Sequence, residues 1–342
     1  MATPTKSTQV QLFHHAKASG ATLDDFAVVE VDVPPLQEGD VLVRTDFVFV
    51  AAAYQDMMRP DCQLPVPPFQ IGAPIGGGEV GTVIESRSAL LEPGDAVYMW
   101  QGWREYAVAP AESFVKLDRT LFPSTSYFLS QGPTAFYGMA RVAKAGEGDT
   151  VYVSGAAGGV GSLAVQIAKR LGAERVIGSA GSAEKVAYLT DELGVDAAFN
   201  YKEGTVADQL AELAPEGISV FFDNVGGQQF EAAVEAARPF ARLALCGALS
   251  GQIGGNGGAP RLDLMTAITK HLSILPFATY HTEEQIADWT THFAEWLGAG
   301  QFVFPQTVVR GGIGEAPQTL LRLLAGEHRG NVVVQVSENP DE

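Results

Sequence analysis

The 342-residue chain carries 22 lysines and arginines against 40 aspartates and glutamates, a formal net charge of −18. That balance leaves no basic stripe to neutralise phosphates and excludes a nucleic-acid-binding role. Hydrophobic residues at 46% and charged residues at 18% exclude a disordered chain, and the length suffices for about two domains.

Met1 to Gln9 is polar and lacks the apolar core of a secretory signal, and no apolar run approaches the length needed to span a bilayer. A cytoplasmic protein with no membrane partner is expected. Cys62 and Cys246 are far apart and form no C-x-x-C pair, so neither a disulfide framework nor a zinc ribbon is available. Both are expected to be reduced and buried as small apolar residues.

Residues 9 to 123 read as β-rich. Phe26–Val33 and Val41–Val50 are runs of β-branched and aromatic residues, separated by the turn signals Pro34-Pro35 and Glu38-Gly39-Asp40. Short strands with glycine-bearing turns continue through Gly76–Glu85, Gly94–Tyr98 and Glu105–Val108, a barrel-like pattern.

From Pro123 the texture changes to alternating strands and helices. The apolar run at Val151 enters the cluster Gly155-Ala-Ala-Gly-Gly-Val-Gly161, and Val160, Ala164, Ile167, Ala168 and Leu171 then form the stripe of a helix packed on a sheet. A second apolar run from Arg175 completes the spacing of a βαβ unit. Strands are predicted at 151–154, 175–178, 197–200, 218–222, 241–246 and 272–277, with helices near 160–171, 182–193, 205–213 and 227–237. Such alternation predicts a parallel sheet covered on both faces. Gly251–Pro260 reads as a glycine-rich loop after a sheet strand, a place that serves either a ligand crevice or a plain connector. Helices near 261–271 and 282–298 come next, the latter with Ile286, Trp289, Phe293, Trp296 and Leu297 on one face. The tail regains β character from Phe304 and ends in Asn331–Val336, so the α/β domain, 124–299, is expected to be inserted between the two parts, 1–123 and 300–342, of a β-rich domain.

The glycine cluster predicts a pyrophosphate site: Ala157, Gly158, Gly159, Val160 and Gly161 bring backbone N–H groups and a positive dipole end to the helix start. The strict G-x-G-x-x-G fingerprint is broken by Ala156. An NAD site places a carboxylate at the end of the second strand, but Ile177-Gly-Ser-Ala-Gly-Ser182 holds none, and Ser179 offers a hydroxyl instead. Lys185 falls in the first turn of a helix capped by Ser182, where the dipole disfavours a cation unless an anion sits nearby. NADPH is therefore expected over NADH. The six histidines form no i, i+4 pair and neither cysteine sits in a ligand-spaced group, so no metal is expected. Without a metal, the chemistry most natural to NADPH here is hydride addition to an activated acceptor such as an enone.

Gly132–Gly138, Ala156–Gly161, Ala180–Lys185, Asp196–Lys202, Phe222–Gly227 and Cys246–Ser250 together resemble the zinc-independent medium-chain dehydrogenase/reductase superfamily, in the branch of leukotriene and prostaglandin reductases, alkenal double-bond reductases and curcumin-reductase-like enzymes. The resemblance implies an α/β chain with a doubly wound, parallel Rossmann sheet inserted in a β-rich, GroES-like barrel domain. It also implies NADPH as cofactor, with Lys185 and Tyr201 on its 2′-phosphate and Asn224, Cys246, Gly247, Ser250, Phe277 and Asn331 along the dinucleotide. Homodimers are usual in that branch. Zinc-dependent cousins carry a glycine-histidine-glutamate motif where this chain has Gly76–Gly78 and Glu79. Relatives place a tyrosine near the substrate carbonyl where this chain has Thr269, so the donor is expected among Tyr54, Thr269 and Tyr280. The expected acceptor is a small hydrophobic α,β-unsaturated ketone or aldehyde, with Tyr54, Met57, Met58, Trp100 and Trp103 in segments facing it or in the core. An NADPH-dependent quinone oxidoreductase and a non-catalytic NADPH-binding sensor or structural protein are the alternatives.

Overall fold

The computed structural model describes residues 3–62, 64–252 and 260–340. In chain order the first part holds strands β1 (Lys6–Leu12), β2 (Phe26–Asp32) and β3 (Asp40–Val50), helix α1 (Ala53–Met57), then β4 (Glu79–Ser86), β5 (Ala96–Met99), β6 (Tyr106–Pro110) and β7 (Phe114–Lys116). Helix α2 (Gly132–Phe136), β8 (Thr150–Val153), α3 (Gly159–Arg170), β9 (Arg175–Ala180), α4 (Ala183–Asp191), β10 (Ala197–Asn200) and α5 (Val206–Leu213) succeed it. Next come β11 (Ile218–Asp223), α6 (Gly227–Ala236), β12 (Ala237–Leu245), α7 (Leu249–Gln252), α8 (Leu264–Thr269), β13 (Ser273–Pro276) and α9 (Glu283–Gly298). The tail is β14 (Gln306–Arg310), α10 (Ala316–Leu324) and β15 (Asn331–Gln335). The chain divides into two compact units, Met1–Ser130 with Gln306–Glu342, and Gln131–Pro305.

The first unit is built on antiparallel pairing. β1 and β2 form a two-stranded ribbon, and a seven-stranded sheet runs β14-β15-β3-β4-β5-β7 with β6 added to β3. The tail strand β15 pairs antiparallel with β3, Val333 opposite Phe49, which ties the two ends of the chain into one sheet. Val10, Leu12, Val48, Met58, Ile75, Trp103, Val332 and Val334 fill its largest core. Helix α10 is not among the elements expected from the sequence. It lies between two β-branched strands and presents Ala316 and Leu320 inward, a short apolar stripe with Pro317 in its first turn.

The second unit is a six-stranded parallel sheet in the order β10-β9-β8-β11-β12-β13. Each predicted strand is present, because each is an apolar run bounded by glycine or charge and succeeded by a helical stripe. Tyr152, Ile177, Leu210, Ile218, Phe221, Ala233 and Leu243 pack beside the sheet. On α9, Trp289 and Phe293 are buried whereas Ile286 is exposed, so the apolar face is narrower than its periodicity suggests. The glycine-rich loop lies largely outside the described residues. No helix among the described residues is long and apolar enough to cross a membrane. Both cysteines are half-buried.

Candidate functional site

The parallel sheet reverses direction of growth at β8, which lies between β9 and β11. In such sheets a crevice opens beyond the carboxyl ends of the strands at that reversal. The glycine cluster stands there. Gly155 takes φ +57°, and Gly158 is the exposed N-cap of α3 with no side-chain cap. The N–H groups of Gly159, Val160 and Gly161 precede the first helical acceptor pair, Ser162 N–H to the Gly158 carbonyl at 2.9 Å, and point out of the helix start. A Cβ on Gly161 would overlap the Gly155 carbonyl oxygen and lie 2.7 Å from Ala156 Cα. Glycine is therefore what lets α3 begin hard against the strand end and leave its donors open to an anion. Ala156, which breaks the fingerprint, and Ala157 beside it are buried beneath the turn.

Asp223, at the end of β11, organises the opposite rim. Its Oδ1 accepts from Ser154 Oγ at 2.7 Å and from the N–H groups of Val225 and Gly226, each at 2.9 Å. Burial raises its carboxyl above the usual carboxylate range against those hydrogen bonds. Its carbonyl accepts from Cys246 N–H at 2.9 Å and Gly247 N–H at 3.0 Å, and Ser250 N–H donates to the Val225 carbonyl at 3.0 Å. Asn224 donates through Nδ2 to the Ser154 carbonyl at 2.8 Å. The ends of β8, β11 and β12 are thus laced together, with Asn224, Cys246, Gly247 and Ser250 along one rim. Burial and the Asp223 charge push the Cys246 thiol up to about 12, so it is a neutral, unreactive lining group.

At the end of β9 one expectation changes. Ser179 is fully buried, and its hydroxyl donates to Gln229 Oε1 at 2.7 Å beside the Tyr152 hydroxyl at 3.1 Å. Its alternation in the strand turns it into the sheet's packed face, so it is not an outward donor. The exposed corner is built one step later. Ser182 caps α4 by accepting from Lys185 N–H at 3.3 Å, Tyr201 N–H donates to the Ala180 carbonyl at 3.1 Å, and the Tyr201 ring is 40% exposed.

Beyond β13, Phe277 packs against Tyr137 and Phe222, with ring centroids 6.1 and 6.0 Å apart. Gly138 sits in a π-helical stretch, Tyr137–Val142, and a Cβ there would lie 2.6 Å from the Phe222 ring. Thr134 Oγ1 and His281 Nε2 lie 2.9 Å apart in the same cluster, and burial lowers the His281 pKa, favouring the neutral ring. Sequence reasoning weighs His281 only as a metal ligand and misses this role. Its pairing joins residues 147 positions apart and leaves no local signal.

The three candidate hydroxyls fare differently. Tyr54 is buried in the first unit, where its hydroxyl donates to the Gly77 carbonyl, and burial raises its pKa well above the ordinary tyrosine value. Thr269 donates to the Met265 carbonyl of its own helix at 2.8 Å. Both protons are committed to carbonyls, which corrects the expectation that either stands ready for a substrate. Tyr280 is 64% exposed and has no hydrogen-bond partner among the described residues. Asn331 is buried at the start of β15 in the first unit. Met57, Met58 and Trp103 are core residues there, whereas Trp100 is exposed.

Two family models match: Zinc-binding dehydrogenase over residues 159–297 and N-terminal domain of oxidoreductase over residues 11–117. The NADPH-dependent curcumin reductase of Escherichia coli is 31% identical, with 92% of each chain covered. The 2-alkenal reductase (NADP(+)-dependent) of Nicotiana tabacum is 33% identical over 89% of each chain. The crystal structure of CurA from Vibrio vulnificus in complex with NADPH superposes with a TM-score of 0.89 at 29% identity, covering 97% of this chain and 100% of that one. The open donors at α3, the close approach of α3 to the strand end that Gly161 permits and the lysine-bearing corner fit such a dinucleotide. Among the described residues no three His, Cys, Asp or Glu side chains converge on one point. The chain belongs to the medium-chain dehydrogenase/reductase superfamily, in its zinc-independent, NADPH-dependent branch of oxidoreductases acting on C=C bonds.

Proposed function

We propose that the protein reduces the activated carbon–carbon double bond of a small, hydrophobic α,β-unsaturated ketone or aldehyde. The observation that carries this reading is the anion cradle at the sheet's reversal point, joined to a second-strand end with lysine in place of a carboxylate. The likeness to a curcumin reductase and a 2-alkenal reductase supports the acceptor class. Bound here, NADPH supplies a hydride to the β-carbon of the acceptor.

The protein's part is binding, orientation and charge stabilisation. The N–H groups of Gly159, Val160 and Gly161 bind the pyrophosphate, and Lys185 with Tyr201 binds the 2′-phosphate. Asn224, Cys246, Gly247 and Ser250 line the dinucleotide, and Phe277, wedged against Tyr137 and Phe222, gives it a rigid apolar wall. Negative charge gathers on the acceptor's carbonyl oxygen as hydride arrives, and the exposed hydroxyl of Tyr280 donates to it. Water then protonates the α-carbon.

Purified protein should consume NADPH with simple enones and alkenals and give the saturated carbonyl product. Consumption with quinones alone would assign it to quinone reduction, and tight binding without turnover on either class would leave a sensor. Tyr280→Phe should lower kcat by about 10²- to 10³-fold with KM nearly unchanged, as removal of a transition-state donor does. A change confined to KM would remove Tyr280 from the chemistry.

A further inference from the structure

The corner after β9 contains a second cation to which no role has been given. Lys202 comes after Tyr201 in the turn that ends β10, and β10 runs parallel to β9 with Asn200 opposite Ala180. A Cβ placed on Gly181 would lie 3.2 Å from the Tyr201 ring and 3.5 Å from Lys202 Cε, so both side chains lean over the bare backbone of Gly181. The Lys202 ammonium sits 5.8 Å from the centre of the Tyr201 ring. Its backbone is fixed: Lys202 N–H donates to Asn200 Oδ1 at 3.1 Å, Asn200 Nδ2 donates to Glu203 at 2.7 Å, and Gln209 Nε2 donates to the Asn200 and Glu203 carbonyls at 3.2 and 2.9 Å. The nearest acidic neighbour in sequence, Glu203, is thereby turned to Asn200, and among the described residues no carboxylate pairs with the ammonium of Lys202.

Lys202 and Tyr201 therefore meet over Gly181, directly before the N-terminus of a nine-residue helix whose first turn carries Lys185, in a chain with nearly twice as many acidic as basic residues. An isolated cation on a tyrosine face is a weak contact, worth about 0.5–1 kcal/mol at an exposed site. A doubly charged phosphate monoester at the α4 N-terminus, within reach of Lys202, uses the arrangement fully.

We infer that Lys202 is a specificity-determining residue that closes over the 2′-phosphate of NADPH from above Gly181 and Tyr201. This role rests on the cofactor reading under Proposed function and adds a residue to it. Glu203 and Glu184 are the carboxylates nearest in sequence to the two lysines, and the contact of an exposed cation with a phosphate weakens as ionic strength rises.

Binding of adenosine 2′,5′-bisphosphate, NADPH and NADH to the intact protein, measured by titration calorimetry at low and high salt, tests the inference. Lys202→Ala should weaken the bisphosphate and NADPH roughly five- to tenfold and leave NADH within about twofold, with the loss shrinking at high salt. Lys202→Arg should restore most of it. Equal losses for NADPH and NADH, or no loss for either while Lys185→Ala still discriminates between them, would overturn the role of Lys202 alone. A wild-type protein that binds both cofactors equally would overturn the cofactor reading and this inference with it.

Discussion

Two glycine-rich segments of this chain do opposite work. Gly155–Gly161 removes side chains so that backbone N–H groups face outward at the end of a strand. Gly76–Gly78 removes them so that indoles can come in: a Cβ on Gly76 would overlap the Trp103 ring, and one on Gly77 the Trp100 ring. The first is a ligand site built from backbone. The second is a packing site built from aromatic side chains, closed further by the Tyr54 hydroxyl on the Gly77 carbonyl. Bare glycine thus marks a close approach in both places, and the next element of the chain decides the use: an amphipathic helix exposes donors, whereas a strand buries its neighbours.

The steepest test of that contrast is Gly161→Val. Overlap with the Gly155 carbonyl forces α3 away from β8, which should cost about 1–3 kcal/mol of stability and abolish detectable NADPH binding. Calorimetry on the folded variant measures the second effect separately. Retained NADPH affinity would mean that the cradle is not the pyrophosphate site.

Glu79 gives the matching test in the packed region. It is fully buried, Oε1 has no hydrogen-bond partner among the described residues, and Oε2 accepts from Gln101 N–H at 2.8 Å. Burial raises its pKa from 4.5 to about 7, with the backbone N–H groups of Gln101 and Gly102 and the charge of Arg104 opposing the shift. The folded state then holds a proton that the unfolded state has lost between pH 4.5 and about 7, so stability falls across that window as pH rises and levels off above it. Glu79→Gln removes this contribution and should gain on the order of 2–3 kcal/mol relative to wild type above pH 7, and nothing below pH 4.5. Chemical denaturation at several pH values would show it. A constant difference at all pH values would mean that Glu79 stays ionised.

Smaller is the effect of Lys185→Ala, about 1.5 kcal/mol or tenfold in NADPH affinity with little change for NADH. Equal losses for the two cofactors would place Lys185 away from the 2′-phosphate.

The same contrast explains which features are legible in the sequence. The parallel sheet is legible because each strand and helix carries its own local period, and the cradle because a helix start at a strand end needs glycine at fixed positions. The absent carboxylate in Ile177–Ser182 points to the cofactor through charge alone. Ser179 misleads because strand alternation decides which face a hydroxyl takes, and the neighbouring Gly181 marks the exposed step only once Tyr201 is seen above it. Tyr54 misleads for a related reason: a tyrosine among Met57 and Met58 suits a binding wall or a core equally, and only the carbonyl of Gly77, 23 positions away, decides between them. The Thr134–His281 pair is invisible because its two halves lie in different helical neighbourhoods.

Transfer of label from NADPH deuterated at its reactive carbon to a simple enone is the most direct test of the central claim. The account predicts a saturated ketone with deuterium on the β-carbon, read by nuclear magnetic resonance. Deuterium on the carbonyl carbon of an allylic alcohol, or oxidation of NADPH with no label in the product, would contradict it.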